Sequence, residues 1–180
     1  MINIKDHKTG HLWDPWGHLG VKRRKLLAVS WADTFRKYIL QQLPIASVIP
    51  FFSEGLGRPT KELYALLGAL LLQQFHDLTD KETVEQFSFN AQWHYALNIT
   101  GAGDEETYLC LKTLWNARKI VYENKIDKIL FEDITDHLIK KSLKSDYPRP
   151  EASVLRPIYG YATAISKAFK RQSRPLLTGP

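Results

Sequence analysis

The chain has 180 residues, a net charge of +6, one cysteine and five tryptophans. This length is enough for one domain with a hydrophobic core, and the aromatic content argues against disorder over most of the chain. A single cysteine excludes a disulfide framework and a cysteine-rich zinc site. There is neither the apolar segment of a signal peptide nor a run of about 20 apolar residues, so we expect a cytoplasmic protein without membrane contact.

The positive charge is unevenly distributed along the chain. From Ser145 to the end there are six lysines and arginines against two acids, interleaved with proline and serine. We therefore expect a helical domain over residues 1–144 and an irregular basic tail over residues 145–180. Because residues 1–144 are only mildly basic, bulk charge by itself does not predict DNA binding.

The N-terminal region combines two tryptophans, Trp13 and Trp16, with glycine and proline. This pattern predicts an extended arm held to the body by burial of aromatic side chains. The densest basic cluster, Lys22 to Lys25, follows and leads into one or two helical turns. These cations could contact phosphates, or they could simply be the solvated start of a helix.

An amphipathic helix follows the basic cluster. Ser30 is placed to cap it, apolar residues recur at spacings of three and four from Trp31 onward, and Pro44 ends it. Asp33 suits the positive end of the helix dipole. The pattern predicts one buried face and one solvated face.

The central stretch predicts a helix, a short turn and a second helix. Pro59 and Thr60 suit a helix start, and almost every side chain from Leu63 to Leu72 is apolar or small, which is typical of an enclosed helix. Thr79 to Glu82 has the spacing of a capping box for the next helix, and a short third helix ends near Leu97. This is the layout of a helix-turn-helix, although any small helical bundle contains such corners.

The next predicted helix has the best side chains for reading DNA. Thr113 is placed to cap a helix over residues 114–124, with Leu114 and Ala117 on its inner side. The opposite side carries Lys112, Asn116, Lys119 and Glu123, with Arg118 nearby. Asparagine can pair with adenine, and lysine or arginine with guanine or phosphate. The alternative is a polar face that only contacts solvent.

The last clear helix is predicted to begin at Asp127. On it, Asp133, Asp136 and His137 have a spacing suited to metal ligation on one helical face. No second cluster completes a site, so we expect neither a metal nor a cofactor.

Several motifs together carry a family resemblance. They are Gly57-Arg58-Pro59 before the leucine-rich helix, Leu78-Thr79-Asp80, Glu82 to Gln86, the residues Trp93, Tyr95, Ala96 and Leu97, and Thr113-Leu114. With these motifs, residues 1–144 resemble the N-terminal helical domain of bacterial insertion-sequence transposases of the DDE type. The resemblance implies a domain that helps to bind the terminal inverted repeats of the element, joined to a downstream RNase H-like catalytic domain.

The sequence departs from this family after the last predicted helix. Where relatives carry a strand with the first catalytic aspartate, this chain has Ser-Asp-Tyr-Pro-Arg-Pro-Glu from Ser145. Cleavage by two metal ions needs converging carboxylates, and we see no such set. We therefore expect no enzymatic activity, and we interpret the chain as a truncated transposase whose last segment is out of frame.

The sequence thus predicts an all-α fold, a compact multi-helix bundle with helix-turn-helix-like corners followed by an irregular C-terminal tail. The expected partner is double-stranded DNA, with self-association or pairing with an intact transposase as further expectations. The candidate DNA-contacting residues are Lys22, Arg23, Arg24, Lys25, Arg58, Lys61, Lys112, Asn116, Arg118 and Lys119. The alternative is a protein-interaction or oligomerisation module that docks through the aromatic faces around Trp31, Trp93 and Trp115, or a non-functional remnant.

Overall fold

The structure is a computed structural model that describes residues 2–7, 14–52, 59–130, 132 and 134. Within these residues all regular secondary structure is helical, which confirms the predicted all-α fold. The helices are α1 (Val21–Ala28), α2 (Trp31–Tyr38), α3 (Ile45–Val48), α4 (Leu63–Phe75), α5 (Asp80–Phe89), α6 (Ala91–Leu97), α7 (Asp104–Thr107) and α8 (Leu111–Glu123). Two short 3₁₀ turns, Leu40–Gln42 and Ile49–Phe51, flank α3. A further helical stretch begins at residue 126.

Helix α4 is the centre of the bundle. It packs against α5, α6 and α8, and most of its side chains from Leu63 to Leu72 are buried. Gly68 lets neighbouring helices approach closely, because a Cβ atom at this position would lie 2.5 Å from the Leu97 side chain. The enclosed helix that the sequence predicts is confirmed. No described helix is both long and apolar enough to cross a lipid bilayer.

The start of α4 differs from the prediction. The helix begins at Leu63, and its N-cap is Glu62 instead of Thr60. The Glu62 carboxylate accepts hydrogen bonds from the backbone N–H groups of Tyr64 and Ala65, at 3.1 and 2.7 Å. The Thr60 hydroxyl instead accepts a hydrogen bond from the backbone of Asn3, because the N-terminal segment packs beside it.

The corner between α4 and α5 follows the prediction. Asp77 takes a left-handed backbone conformation (φ 51°) in the turn, and Thr79 and Glu82 form both hydrogen bonds of the capping box. Asn90 caps α6, and Asn98 ends it in a second left-handed conformation (φ 54°). The helix-turn-helix layout therefore arises from local capping on both sides of α5.

The remaining boundary differences have local causes. Helix α8 begins at Leu111, three residues earlier than predicted, and Cys110 is its N-cap residue. The Thr113 hydroxyl lies 3.0 Å from the Cys110 sulfur and caps no helix. Helix α2 ends at Tyr38, before Pro44, because the chain continues as the 3₁₀ turn. Ser30 is the N-cap residue of α2, but its hydroxyl donates back to the Leu27 carbonyl.

The N-terminal arm is held to the body as predicted, but residues 15–18 form a turn and are not extended. Trp16 is 8% exposed and packs with Leu19 and Leu27, and its ring meets Tyr95 edge-on at 5.2 Å. Trp13 lies outside the described residues, as do the tail over residues 145–180 and the trio Asp133, Asp136 and His137.

Candidate nucleic-acid interface

Helix α1 presents its basic cluster to solvent. Lys22, Arg23, Arg24 and Lys25 are all exposed, and only Arg24 has a carboxylate partner within the described residues, Asp14 at 3.1 Å. The other three cations of this short helix, Lys22, Arg23 and Lys25, therefore have no carboxylate partner in the part of the chain that the structure describes. Such a cluster attracts polyanions over about 8 Å at physiological ionic strength.

A network of polar side chains connects α6 to α2, the helix against which α1 packs. The Tyr95 hydroxyl donates a hydrogen bond of 2.9 Å to Asp33, and Lys37 lies 2.7 Å from the same carboxylate. Burial and then the Asp33 carboxylate raise the pKa of Tyr95 above its usual value. The tyrosine stays neutral, so it can donate to Asp33 and pack against Trp16 at the same time. This network joins α2 to α6 and anchors the segment that leads into α1.

Helix α8 presents a second set of candidate residues. Lys112, Asn116 and Lys119 are exposed, as expected for the outer side of the helix. The ammonium group of Lys119 lies 5.8 Å from the centre of the Trp115 ring and 3.8 Å from the Glu123 carboxylate. Part of the positive charge on this side is therefore balanced within the helix.

Arg118 points towards the interior of the bundle. Its guanidinium forms an ion pair with Asp80 and donates a hydrogen bond of 2.8 Å to the side-chain oxygen of Gln73. The hydrogen bond from Arg118 lowers the pKa of Asp80 below its usual range. Arg118 therefore joins α8 to the end of α4 and the start of α5, a role that leaves it little freedom to contact DNA.

Lys61 also has intramolecular partners. Its ammonium group donates to the backbone carbonyls of Asp104 and Glu105, at the start of α7. Next to it, the carboxylate of Glu106 forms an ion pair of 2.6 Å with Lys5. The remaining candidate, Arg58, lies outside the described residues.

A comparison with protein families found one that covers most of this helical body. The family model described as Transposase domain (DUF772) matches residues 28–119, just over half of the chain. The chain belongs to this transposase-domain family. Searches of curated proteins and of solved structures found no match.

The transposase-domain match runs from the end of α1 into α8. Lys61, Lys112, Asn116, Arg118 and Lys119 lie within it, whereas Lys22 to Lys25 precede it. The two sets of candidates also lie on helices with different packing partners, because α1 packs against α2 while α8 packs against α4 and α5. The chain thus carries two separate sets of exposed cations, one before the matched transposase domain and one at its end.

The three tryptophans of the alternative hypothesis have different environments in the transposase domain. Trp93 is 2% exposed and belongs to the core, and Trp31 is half-buried beside His76 at a ring distance of 5.0 Å. Trp115 is 56% exposed. Of the three, Trp115 alone presents most of its surface to a partner.

One feature of the transposase domain was missed in the sequence, an apolar strip on the outer side of α8. Leu111, Trp115 and Tyr122 are each more than half exposed and lie along one edge of the helix. Their spacing of four and seven residues is the signal that could have revealed the strip. It was missed because the helix was predicted to begin at Leu114, which left Leu111 outside it.

Proposed function

We propose that this chain binds double-stranded DNA, with α1 supplying the phosphate contacts, and that it serves DNA transposition without cutting DNA by itself. The observation that carries the proposal is the set of four adjacent exposed cations on α1, of which three have no carboxylate partner among the described residues. Membership of the transposase-domain family supports the same assignment. The proposed target is the terminal inverted repeat of the element.

The structure of α1 suits contact with a phosphate backbone. Leu27 is buried against Trp16 and Leu19, so the helix is anchored through its inner side while its cations face outward. Replacing these cations should therefore leave the fold intact. Each phosphate that is neutralised releases condensed counterions, so binding should weaken steeply as salt is raised.

We assign no strand cleavage to the chain. Two-metal cleavage of a phosphodiester needs carboxylates that converge on the metal ions. The resemblance to DDE transposases places those carboxylates in a downstream catalytic domain. The chain would then act on DNA by occupying the repeats, either alone or paired with an intact transposase.

The test is a fluorescence anisotropy titration of the full 180-residue chain with a duplex of the terminal repeat and with a random duplex. Measurements at several salt concentrations from 50 to 200 mM give the slope of log K against log salt. Removing two phosphate contacts with K22Q/K25Q should reduce this slope by about 2, because each contact contributes roughly 0.9.

The matched control is K81Q/K128Q, which removes two exposed lysines from other parts of the structure. It should change the slope by much less than K22Q/K25Q does. Equal effects of the two variants would mean that only net charge matters, and an unchanged slope in K22Q/K25Q would refute the assignment to α1. Equal affinity for the repeat and the random duplex would refute the proposed target.

A further inference from the structure

The outer face of α8 is a mixed apolar and charged surface. Its members are Leu111, Lys112, Trp115, Asn116, Lys119, Tyr122 and Glu123, all of them exposed. With 3.6 residues per turn they form one continuous side of the helix. The inner side is occupied by buried Leu114 and Ala117, so the outer face is independent of the core.

The outer face of α8 has two edges of different chemistry. One edge is apolar and carries Leu111, Trp115 and Tyr122, which are 51%, 56% and 62% exposed. The other edge carries the two lysines, Asn116 and Glu123. Exposed apolar side chains grouped on one edge and bordered by charged groups are typical of a protein-binding surface.

We propose that the outer face of α8 binds the same face of a second copy of this chain, with the two α8 helices antiparallel about a twofold axis. This inference goes beyond DNA binding and does not depend on it. It is based on the match between the outer faces of two α8 helices that run in opposite directions.

The complementarity follows from the positions along the helix. A twofold axis through the point midway between Trp115 and Lys119 reverses the helix direction and keeps each edge facing the same edge of the second copy. Leu111 then faces Tyr122 of the second copy, and Lys112 faces Glu123 of the second copy. Trp115 and Lys119 of the second copy come to the same height on different edges, so the lysine reaches the ring by leaning across the face, as it does within one helix at 5.8 Å.

A parallel pairing lacks this complementarity. It would turn the charged edge of one copy towards the apolar edge of the other, and it would hold like-charged side chains at the same height, which is destabilising across an interface. The antiparallel arrangement instead makes each contact twice, once on either side of the axis. An open groove beside Leu111 and Trp115, lined also by Thr79, Asp80 and Lys81, offers space for the Tyr122 ring of the second copy.

The charges on the outer face of α8 favour a second copy over DNA. Glu123 would be repelled by phosphates, and Lys119 is already shared between Glu123 and Trp115. Arg118, another candidate for a DNA contact, is held by Asp80 instead. Because one helix pair buries a small area, we expect a weak dimer whose population depends on protein concentration.

The test is sedimentation equilibrium of the full chain without DNA, over concentrations from about 5 µM to 500 µM. We expect a reversible monomer–dimer equilibrium. The single reversals K112E and E123K should each weaken dimerisation by about tenfold, since each replaces two attractive pairs by two repulsive ones. The double variant K112E/E123K should return to within about threefold of the wild-type constant, because its charges are again complementary.

Two further variants complete the design. W115A should abolish the dimer, because it removes the centre of the apolar edge. K22E is the matched control, since it reverses one exposed lysine on α1 and should leave the dimerisation constant unchanged. Circular dichroism of each variant should give the wild-type helix content, which separates loss of pairing from loss of folding.

Several outcomes would overturn the inference. A chain that stays monomeric at 500 µM, a double variant that fails to recover, or a K22E effect as large as that of K112E would each do so. A monomer whose DNA affinity falls with K112E and rises with E123K would show that this face contacts DNA instead.

Discussion

Replacing Arg118 with methionine removes the guanidinium but keeps a long side chain against α4. The change leaves the side-chain oxygen of Gln73, a residue only 3% exposed, without its 2.8 Å donor. An unsatisfied buried acceptor costs roughly 1–3 kcal/mol. The lost ion pair with Asp80 adds less than about 1 kcal/mol, because the two side chains are 30% and 40% exposed and are screened by solvent.

We therefore expect R118M to lower the free energy of unfolding by about 2 kcal/mol, which corresponds to a fall in Tm of roughly 4–8 °C for a chain of this size. Urea denaturation followed by circular dichroism at 222 nm measures the change. In a double-mutant cycle with D80N, the two losses should add up to more than the loss in the double variant, because the side chains share one network.

The control is K119M, a neighbouring cation on the outer side of α8, which should change stability by less than about 0.5 kcal/mol because surface pairs contribute little. If R118M were as stable as K119M, the conclusion that Arg118 connects α8 to α4 and α5 would be wrong.

Three other perturbations test the fold. Gly68→Val should destabilise the protein by more than about 2 kcal/mol in urea denaturation, since its Cβ would lie 2.5 Å from Leu97; wild-type stability would contradict the close helix approach. Thr79→Ala should cost about 1 kcal/mol by removing the capping box with Glu82, and an unchanged thermal midpoint would count against it. Burial lowers the pKa of His76 below 6.5, so the unfolded chain binds more protons and stability should fall as pH drops through and below 6.5. Urea midpoints from pH 7.5 to 5.0 should show this fall, and His76→Gln should flatten it.

Local patterns were enough to predict much of the fold. The leucine-rich run of α4, the capping box at Thr79 and the end of α6 near Leu97 depend on residues that lie within a few positions of one another. Where a long-range contact competes with a local one, the prediction failed. Thr60 bonds to the N-terminal segment, 57 residues away, and Glu62 takes its place as the cap.

The sequence by itself determined that the chain is all-α, that the run from Leu63 to Leu72 is an enclosed helix, and that four cations stand together before α2. Only the tertiary structure decided which polar side chains remain free to bind a partner. Arg118 and Lys61 look like surface cations in the sequence, yet both find partners more than 35 residues away. Trp93 and Trp115 are equally apolar, but one fills the core and the other faces outward. The physical reason is that exposure depends on how helices pack, which the periodicity of a single helix does not specify.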